Sequence, residues 1–419
     1  MLLPILQTDR AFIMKHILYF IFCLSSIYPF VASSGCLPDD PPHTENFYLN
    51  KHINSQRFVR HIADTVDNKV MGYVAILRGK DGSLLAAIEH GWAKTPCEDG
   101  IGLPYTKNTI SSWASVTKVV TAATILNKIN RFWSRSLDER LIDHFPDGWV
   151  VGDCYIADNC WSDAQIRHAL SHRAGFDKSI NTPWPDRFLS GESEKPIGER
   201  SYTNDAFSIW HYLGSFLAAG KMADAETSYT MSDGDYTQYI FDATRQIWKD
   251  YLNNQIAKKA GIKLSCGDVD FNGDNFALIY DDPNDETQGY QPNSVDTPNC
   301  TSGGMVMSAN SMSKFYHTLV NTDRILSPSF FSDTMQIAKP ELMGFDGREE
   351  MQNGEFSYQK NGGARGGRIA ADTMYFTDGL TAVIVRNSKK QDDLKWRKLL
   401  TDAYNSGMET GTGVLQNPY

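Results

Sequence analysis

Residues 111–130 have the sequence SSWASVTKVVTAATILNKIN, and the fold assignment starts from this stretch. Apolar side chains recur at helical spacing from residue 115 to residue 129, which predicts a buried helix. Ser115 stands at its start, where unpaired backbone N–H groups favour negative charge. Lys118 follows one turn later on the same helix face, so its ammonium can stabilise an alkoxide on Ser115 or, if desolvated, accept the proton. An N-terminal cap followed by a solvated lysine explains this spacing equally well.

Strand patterns lie on both sides of a long helical region. Alternating apolar residues around turn signals predict one strand pair near each end of the chain. The predicted strands are residues 70–94, split by a turn at 79–82, and residues 373–376 and 380–385. The predicted helices are residues 161–173, 204–222, 235–260 and 391–405. Strands at both ends with helices between them predict a discontinuous α/β domain with a helical insertion.

The chain begins with an export pattern. Residues 17–32, ILYFIFCLSSIYPFVA, are apolar, follow Lys15 and His16, and precede small residues suited to cleavage. The pattern predicts a signal peptide over residues 1–34 and a secreted or periplasmic protein. A retained N-terminal anchor is the alternative, although the run is shorter than the ~20 residues that a bilayer span needs.

Composition excludes several classes of partner. The 419 residues are 41% hydrophobic and 21% charged, which is typical of a soluble globular protein. The formal net charge is −10, and no run of lysine and arginine is long enough to bind a nucleic-acid backbone. No segment after the signal peptide is apolar enough to span a membrane.

The cysteine count agrees with export. Removal of the signal peptide leaves six cysteines, and an even number in an exported protein favours disulfides. Six cysteines allow 15 pairings; the spacing favours Cys154 with Cys160 and Cys266 with Cys300, which would leave Cys36 with Cys97. Lipidation of Cys36 is an alternative that leaves its partner unpaired. Because no C-x-x-C pair is present, we expect no structural zinc site.

Two further short motifs carry groups that suit catalysis. Tyr202 and Asn204 precede an apolar helix; a tyrosine beside two lysines can act as a general base, and the amide of Asn204 can orient a lysine or a substrate. Lys360 precedes Asn361 and two glycines, Gly362 and Gly363, which let a substrate approach the backbone closely.

Neither motif is decisive alone. A packed tyrosine at a helix start explains the first, and a glycine-rich surface turn explains the second. In the functional interpretation, the N–H groups of Gly363 and Ser115 form an oxyanion hole.

The three motifs together, in this order, resemble the serine β-lactamase and penicillin-binding protein superfamily. The likeness is to its class C β-lactamase branch, which includes D,D-peptidases and esterases and carries S-x-x-K, Y-x-N and K/H-x-G elements. Residues 165–176, QIRHALSHRAGF, and residues 137–146 and 300–315 also resemble segments of that family. The resemblance covers roughly residues 45–405.

The resemblance implies a fold and a division into domains. We expect a class C β-lactamase-like α/β (α+β) fold, an antiparallel sheet flanked by helices with an all-helical insertion domain. Residues 35–110 and 290–419 would form the sheet domain. Residues 111–289 would form the mainly helical domain that carries Ser115, Lys118 and Tyr202.

The resemblance also implies a mechanism. Ser115 would attack a carbonyl group to form an acyl-enzyme, Tyr202 and Lys118 would share the proton transfer, and Lys360 would support Tyr202 and hold a substrate carboxylate. The expected substrate-binding residues are Asn204, Asn361, Gly362 and Gly363. The substrate would be a small molecule or a peptide, with cell-wall compounds among the candidates, and no cofactor or metal is expected.

Some features depart from the family or leave alternatives open. Asn361 stands where β-lactamases have threonine or serine, which argues against efficient β-lactam hydrolysis. Arg365 and Arg368 can bind a carboxylate or can simply be solvated. His168 and His172 have the spacing of a helical metal pair without the glutamate of H-E-x-x-H, so we expect no metal there. The alternative function is a binding or sensor protein that keeps the pocket without turnover.

Overall fold

The computed structural model describes most of the chain. The described residues are 35–38, 40–131, 136–144, 163–176, 195–219, 244–266, 275–291, 298–336, 342–391 and 396–409. The predicted signal peptide and the predicted Cys154–Cys160 pair lie outside them.

An antiparallel sheet of eight strands forms the centre of the molecule. Its strands are β1 (His43–Phe47), β2 (Gly72–Arg78), β3 (Leu84–Lys94), β4 (Leu103–Pro104), β7 (Gly347–Glu350), β8 (Phe356–Ala364), β9 (Ile369–Phe376) and β10 (Thr381–Arg386). Their order is β1-β3-β2-β10-β9-β8-β7, with β4 paired to β3. A separate pair joins β5 (Ile110–Ser112) to β6 (Val306–Ser308). Both predicted strand pairs are confirmed, and β2 and β10 lie side by side.

The sheet separates two hydrophobic cores. Alternate residues of a strand point to opposite faces, so Val74 and Ile76 of β2 join the core under the helical region. Tyr73, Ala75 and Leu77 join the second core, on the other face. Both faces are therefore covered.

The described helices lie between and around the strands. They are α1 (Ser55–Val66), α2 (Pro96–Asp99), α3 (Thr117–Arg131), α4 (Ile166–Leu170), α5 (Asp205–Ser208), α6 (Trp210–Ala219), α7 (Ala309–Asn321), α8 (Pro328–Thr334) and α9 (Leu399–Met408). Residues 244–260 are also helical, with a π-helical turn at Asn253–Ala257. α4 is shorter than the helix predicted over residues 161–173: within the described residues it begins at Ile166 and ends at Leu170, and the chain turns at His172, which has a positive φ of 60°.

Helix α3 is buried on all sides, as its sequence predicts. Each residue from 117 to 129 is buried, which is typical of a helix in the centre of a large core. Its polar side chains find partners inside: Thr121 donates to the carbonyl oxygen of Thr301 at 2.7 Å, and Lys128 donates to that of Gly214. The core therefore holds the residues that follow Ser115 firmly in place.

Two of the three expected cysteine pairs lie within the described residues. Cys36 bonds to Cys97, and Cys266 bonds to Cys300, with Cα atoms 5.1 and 5.4 Å apart.

The large sheet takes its strands from two parts of the chain, before and after the helical region. The exact domain boundaries stay a prediction. No helix of the described part is both long and apolar enough to cross a membrane.

Candidate active site

Ser115 lies in a tight turn directly before α3. The turn is the 3₁₀ segment Ala114–Val116, and Ala114 has a positive φ of 44° although it carries a side chain. Such a conformation costs about 1–3 kcal/mol and persists only where the surroundings hold it. The indole of Trp113 is buried and donates to the carbonyl oxygen of Met307 at 2.9 Å. The packing of Trp113 therefore holds the strained turn that presents Ser115.

Lys118 connects the serine to two other elements. Its Nζ lies 3.1 Å from Ser115 Oγ, 2.9 Å from Asn204 Oδ1 and 2.5 Å from the carbonyl oxygen of Ser302. The side chain is fully buried. Burial and the charge of Lys360 lower the pKa of Lys118 well below its ordinary value, and Asp346 offsets this in part.

The partners of Lys118 set the direction of its lone pair. A neutral lysine amine has two N–H groups and one lone pair. An amide oxygen and a backbone carbonyl oxygen only accept hydrogen bonds, so Asn204 and Ser302 take both N–H groups. The lone pair then faces the hydroxyl of Ser115. This geometry would let a neutral Lys118 accept a hydrogen bond from this hydroxyl.

Asn204 is available for this contact because it does not cap the helix that it precedes. It occupies the N-terminal cap position of α5 without a capping hydrogen bond from its side chain. The hydroxyl of Thr203 instead accepts from the backbone N–H of Ala206 at 3.2 Å. The side chain of Asn204 is therefore free of the helix end and directed to Lys118.

Tyr202 lies between the two lysines. The centre of its ring is 5.2 Å from Lys118 Nζ and 4.8 Å from Lys360 Nζ. A backbone hydrogen bond of 2.8 Å from Ser201 N to the carbonyl oxygen of His172 holds this loop against the end of α4. The phenol ring of Tyr202 therefore lies against the amino groups of both lysines.

His172 forms the back wall of the site. Its ring packs against Tyr202 and Phe207, with centroid distances of 4.3 and 5.0 Å. Burial, followed by the charges of Lys360 and Lys118, lowers the pKa of His172 well below its ordinary value. A neutral imidazole therefore positions Tyr202 without adding a further charge.

Asp346 is a site residue that no sequence motif indicated. Lys360 is fully buried and donates to Asp346 Oδ1 at 2.5 Å, while the backbone N–H of Asn361 donates to Asp346 Oδ2 at 3.0 Å. One carboxylate thus compensates the charge of Lys360 and fixes the end of β8. The sequence held no signal for it, because Asp346 lies in the loop before β7.

Gly362 lets β8 approach the turn at Ser115. A Cβ on Gly362 would lie 2.4 Å from the carbonyl oxygen of Trp113 and 3.2 Å from the backbone nitrogen of Ser115. A Cβ on Gly363 would meet no atom closer than 4.0 Å. The close contact of the two backbones therefore requires glycine at position 362 but not at position 363.

The backbone N–H of Gly363 points away from β9. On β8, the carbonyl oxygen of Gln359 and the N–H of Asn361 both bond to Asp346, on the side of β7. Backbone directions repeat every two residues, so the N–H of Gly363 points to the same side. Pairing with β7 ends at Gln359. The N–H of Gly363 therefore points past the end of β7, on the side of the strand away from β9.

Asn361 faces its neighbour on β9. It lies directly opposite Asp372, and in the orientation that satisfies both side chains its amide nitrogen donates to the carboxylate oxygens at 3.1 and 3.2 Å. Asn361, which departs from the β-lactamase pattern, therefore hydrogen-bonds within the sheet. It also lines the cleft described next.

A cleft of about 930 Å³ joins these groups. Ser115, Tyr202 and the three residues 361–363 line it, as the sequence motifs predict. Four basic side chains also line it: Arg200, Arg386, Lys390 and Lys398. The cleft therefore suits a substrate with acceptor or anionic groups.

The remaining candidates play other parts in the structure. Arg368 pairs with Asp281 and donates to the carbonyl oxygen of Arg365 at 3.0 Å. His168 Nδ1 accepts from the backbone N–H of Gln165 at 3.1 Å, within a capping box.

Comparison with known proteins agrees with this architecture. A family model described as Beta-lactamase matches residues 58–404. Among solved structures, a class C β-lactamase from Rhodobacter sphaeroides is 14% identical, with a TM-score of 0.56 over 84% of this chain and 98% of that one. A β-lactamase/D-alanine carboxypeptidase from Yersinia pestis is 14% identical, with a TM-score of 0.58 over 84% of this chain and 96% of that one.

A third similar structure is EstCE1, a hydrolase with promiscuous acyltransferase activity. It is 16% identical, with a TM-score of 0.56 over 84% of this chain and 99% of that one. No curated protein sequence matches the chain. At these identities the likeness establishes the fold alone, and it confirms the predicted class C β-lactamase-like arrangement.

Proposed function

Because the chain belongs to the β-lactamase family, we propose that it is an exported serine hydrolase that forms an acyl-enzyme at Ser115 and cleaves an amide or ester. The observation that carries the proposal is the contact of fully buried Lys118 with Ser115 Oγ at 3.1 Å. A solvated lysine at the start of a helix would keep its ammonium group in water, whereas the side chain of Lys118 is fully buried. The same amine contacts two groups that can only accept, the amide oxygen of Asn204 and the carbonyl oxygen of Ser302, which leaves its lone pair to Ser115 and supports a role in proton transfer.

The first chemical step uses Ser115 and Lys118. Ser115 Oγ attacks the carbonyl carbon of the substrate, and its proton moves to the lone pair of neutral Lys118. Burial supports this role, since it lowers the pKa of Lys118 and so increases the neutral fraction. The carbonyl oxygen becomes an oxyanion, for which we assign the backbone N–H groups of Ser115 and Gly363 as donors.

The second step releases the leaving group. Tyr202 lies beside both lysines and is assigned the transfer of the proton to the departing alcohol or amine. Lys360, held by Asp346, lies beside the ring of Tyr202 and is assigned the support of this residue. Water then attacks the acyl-enzyme, returns a proton to Ser115 and releases the acid.

The contacts of Asn361 bear on the substrate. Its amide pairs with Asp372 instead of offering the short hydroxyl that β-lactamases place there. We therefore propose esters or peptide-type amides as substrates in preference to β-lactams. The basic residues of the cleft favour substrates that carry a carboxylate.

The test combines labelling with a substrate panel. A fluorophosphonate probe should label the protein, and Ser115→Ala should abolish labelling. Ser112→Ala is the matched control, since Ser112 lies three residues away and is not among the contacts of Lys118. A nitrophenyl ester, a D-Ala-D-Ala peptide and a chromogenic cephalosporin should then be assayed in parallel.

The outcomes separate the alternatives. Turnover of the ester or peptide that is lost in Ser115→Ala supports the hydrolase. Stable labelling without turnover of any substrate contradicts it and favours the binding or sensor protein. Labelling that survives in Ser115→Ala overturns the assignment of the nucleophile.

A further inference from the structure

A second cluster of chemically active side chains lies at the other end of the sheet. His43 on β1 and His90 on β3 are direct partners in the strand register. Asp67, immediately after α1, completes the group. One ligand atom from each of the three residues lies within 4.8 Å of the other two, and the rest of the described chain holds no further group of this kind.

The distances suit coordination of one small cation. The Nδ1 atoms of His43 and His90 are 3.0 Å apart. Asp67 Oδ1 is 3.5 Å from His90 Nδ1, and Asp67 Oδ2 is 3.8 Å from His43 Nδ1. Zn²⁺ binds nitrogen and oxygen at about 2.0–2.2 Å, so tetrahedral ligands lie about 3.3–3.5 Å from one another. The His90–Asp67 separation falls in this range, the His43–His90 separation is slightly shorter, and the contact of Asp67 with His43 is longer and uses its second oxygen.

Neighbouring groups orient the ligands. His43 Nε2 lies 3.2 Å from Glu45 Oε1, and this contact favours the tautomer with the proton on Nε2, which leaves the lone pair of Nδ1 to face His90. Tyr73 donates to Asp67 Oδ1 at 2.5 Å and stacks on the ring of His90. A carboxylate on the outer nitrogen of a histidine and a hydrogen bond to a ligating carboxylate are typical surroundings of protein metal sites.

We propose that His43, Asp67 and His90 form a binding site for a zinc-like divalent metal ion, separate from the cleft at Ser115. Two imidazoles and one carboxylate form a ligand set that Zn²⁺ commonly adopts, with water in the fourth position. The ion can enter from solvent, since the side chain of His43 is 36% exposed while that of His90 is 6% exposed. The bound metal links the edge strand β1 and the C-terminal end of α1 to β3.

Zinc titration of the full-length mature protein tests this proposal. After dialysis against a chelator, calorimetry should detect one Zn²⁺ per chain with micromolar or tighter affinity. His43→Ala should weaken binding by at least about 100-fold, and Glu45→Gln by about tenfold, as expected for an orienting carboxylate. His52→Ala, which removes an exposed histidine before the opposite end of α1, should bind like the wild type.

Two further measurements distinguish loss of the metal site from loss of folding. Co²⁺ should give the visible absorption of a tetrahedral site in the wild type and lose it in His43→Ala. Circular dichroism and labelling of Ser115 check that each variant is folded. Failure of the wild type to take up one ion, or equal affinity in His43→Ala and His52→Ala, would overturn the site and leave the hydrolase proposal untouched.

Discussion

A Cβ placed on Gly362 would lie 2.4 Å from the carbonyl oxygen of Trp113, so the strand β8 and the turn at Ser115 touch backbone to backbone. The two elements are more than 240 residues apart in the chain, yet their contact sets the distance between the serine and the strand that would bind its substrate. A larger side chain at position 362 would meet backbone atoms, which cannot move aside as a flexible side chain can.

We therefore predict that Gly362→Ala forces β8 and the serine turn apart. Overpacking of this kind costs about 1–3 kcal/mol, and a shift of about 1 Å near reacting groups can cost about 100-fold in rate. Gly363→Ala is the matched control, since its Cβ meets nothing closer than 4.0 Å and its N–H is retained. Thermal unfolding and ester hydrolysis measure both effects. Equal activity in the two variants would argue against the close contact.

A second prediction concerns Asn204→Asp. The change places a carboxylate 2.9 Å from Lys118 Nζ where an amide oxygen now lies, which raises the pKa of Lys118. If neutral Lys118 is the base, the acidic limb of the kcat/KM profile moves to higher pH by about one unit or more. Asn204 is exposed and does not cap α5, so the melting temperature should change little. An unmoved acidic limb would exclude Lys118 as the base.

Asp346→Asn should shift the same limb in the opposite direction. Asp346 raises the pKa of Lys118 in part, so its loss lowers that pKa and moves the acidic limb to lower pH. The variant also leaves buried Lys360 without a countercharge, which costs about 3 kcal/mol. Urea denaturation and a pH–rate profile measure the two effects separately. A limb that moved upward would contradict the assigned charges.

Lys128→Met tests a buried lysine outside the site. Burial lowers the pKa of Lys128 from its ordinary 10.5 to about 7. Between these values the unfolded chain binds a proton that the folded chain has lost, so wild-type stability rises with pH from about 7 to about 10.5.

The methionine removes this dependence and should stabilise the protein by about 2–4 kcal/mol below pH 7, after allowance for the lost bond to Gly214. The gain should disappear near pH 10, as measured by urea denaturation across this range. A gain that was constant with pH would contradict the buried-charge explanation.

The cysteines give a chemical prediction. A non-reducing peptide map of the protein, isolated without reductant, should contain Cys36–Cys97 and Cys266–Cys300, which the structure pairs. The sequence adds Cys154–Cys160 as the third pair. A lipid-modified Cys36, or a free Cys97, would contradict the first pairing and the expected processing.

The sequence by itself determined the local secondary structure and the spacing of the short motifs. Helical periodicity after Ser115, the three-residue spacing to Lys118 and the strand pairs near both ends are set by neighbouring residues, so the fold class and the three motifs could be predicted. The residues that determine them lie within a few positions of one another. The π-helical turn at Asn253–Ala257 and the short extent of α4 were not predicted.

Only the tertiary structure decided the long-range contacts. It brought Ser302 and Asn204 to Lys118, Asp346 to Lys360, and Asp67 to His43 and His90. These partners come from distant loops and strands, and no periodic pattern marks them. The physical reason is that strand register and core packing fix which distant groups meet, and both depend on the whole chain.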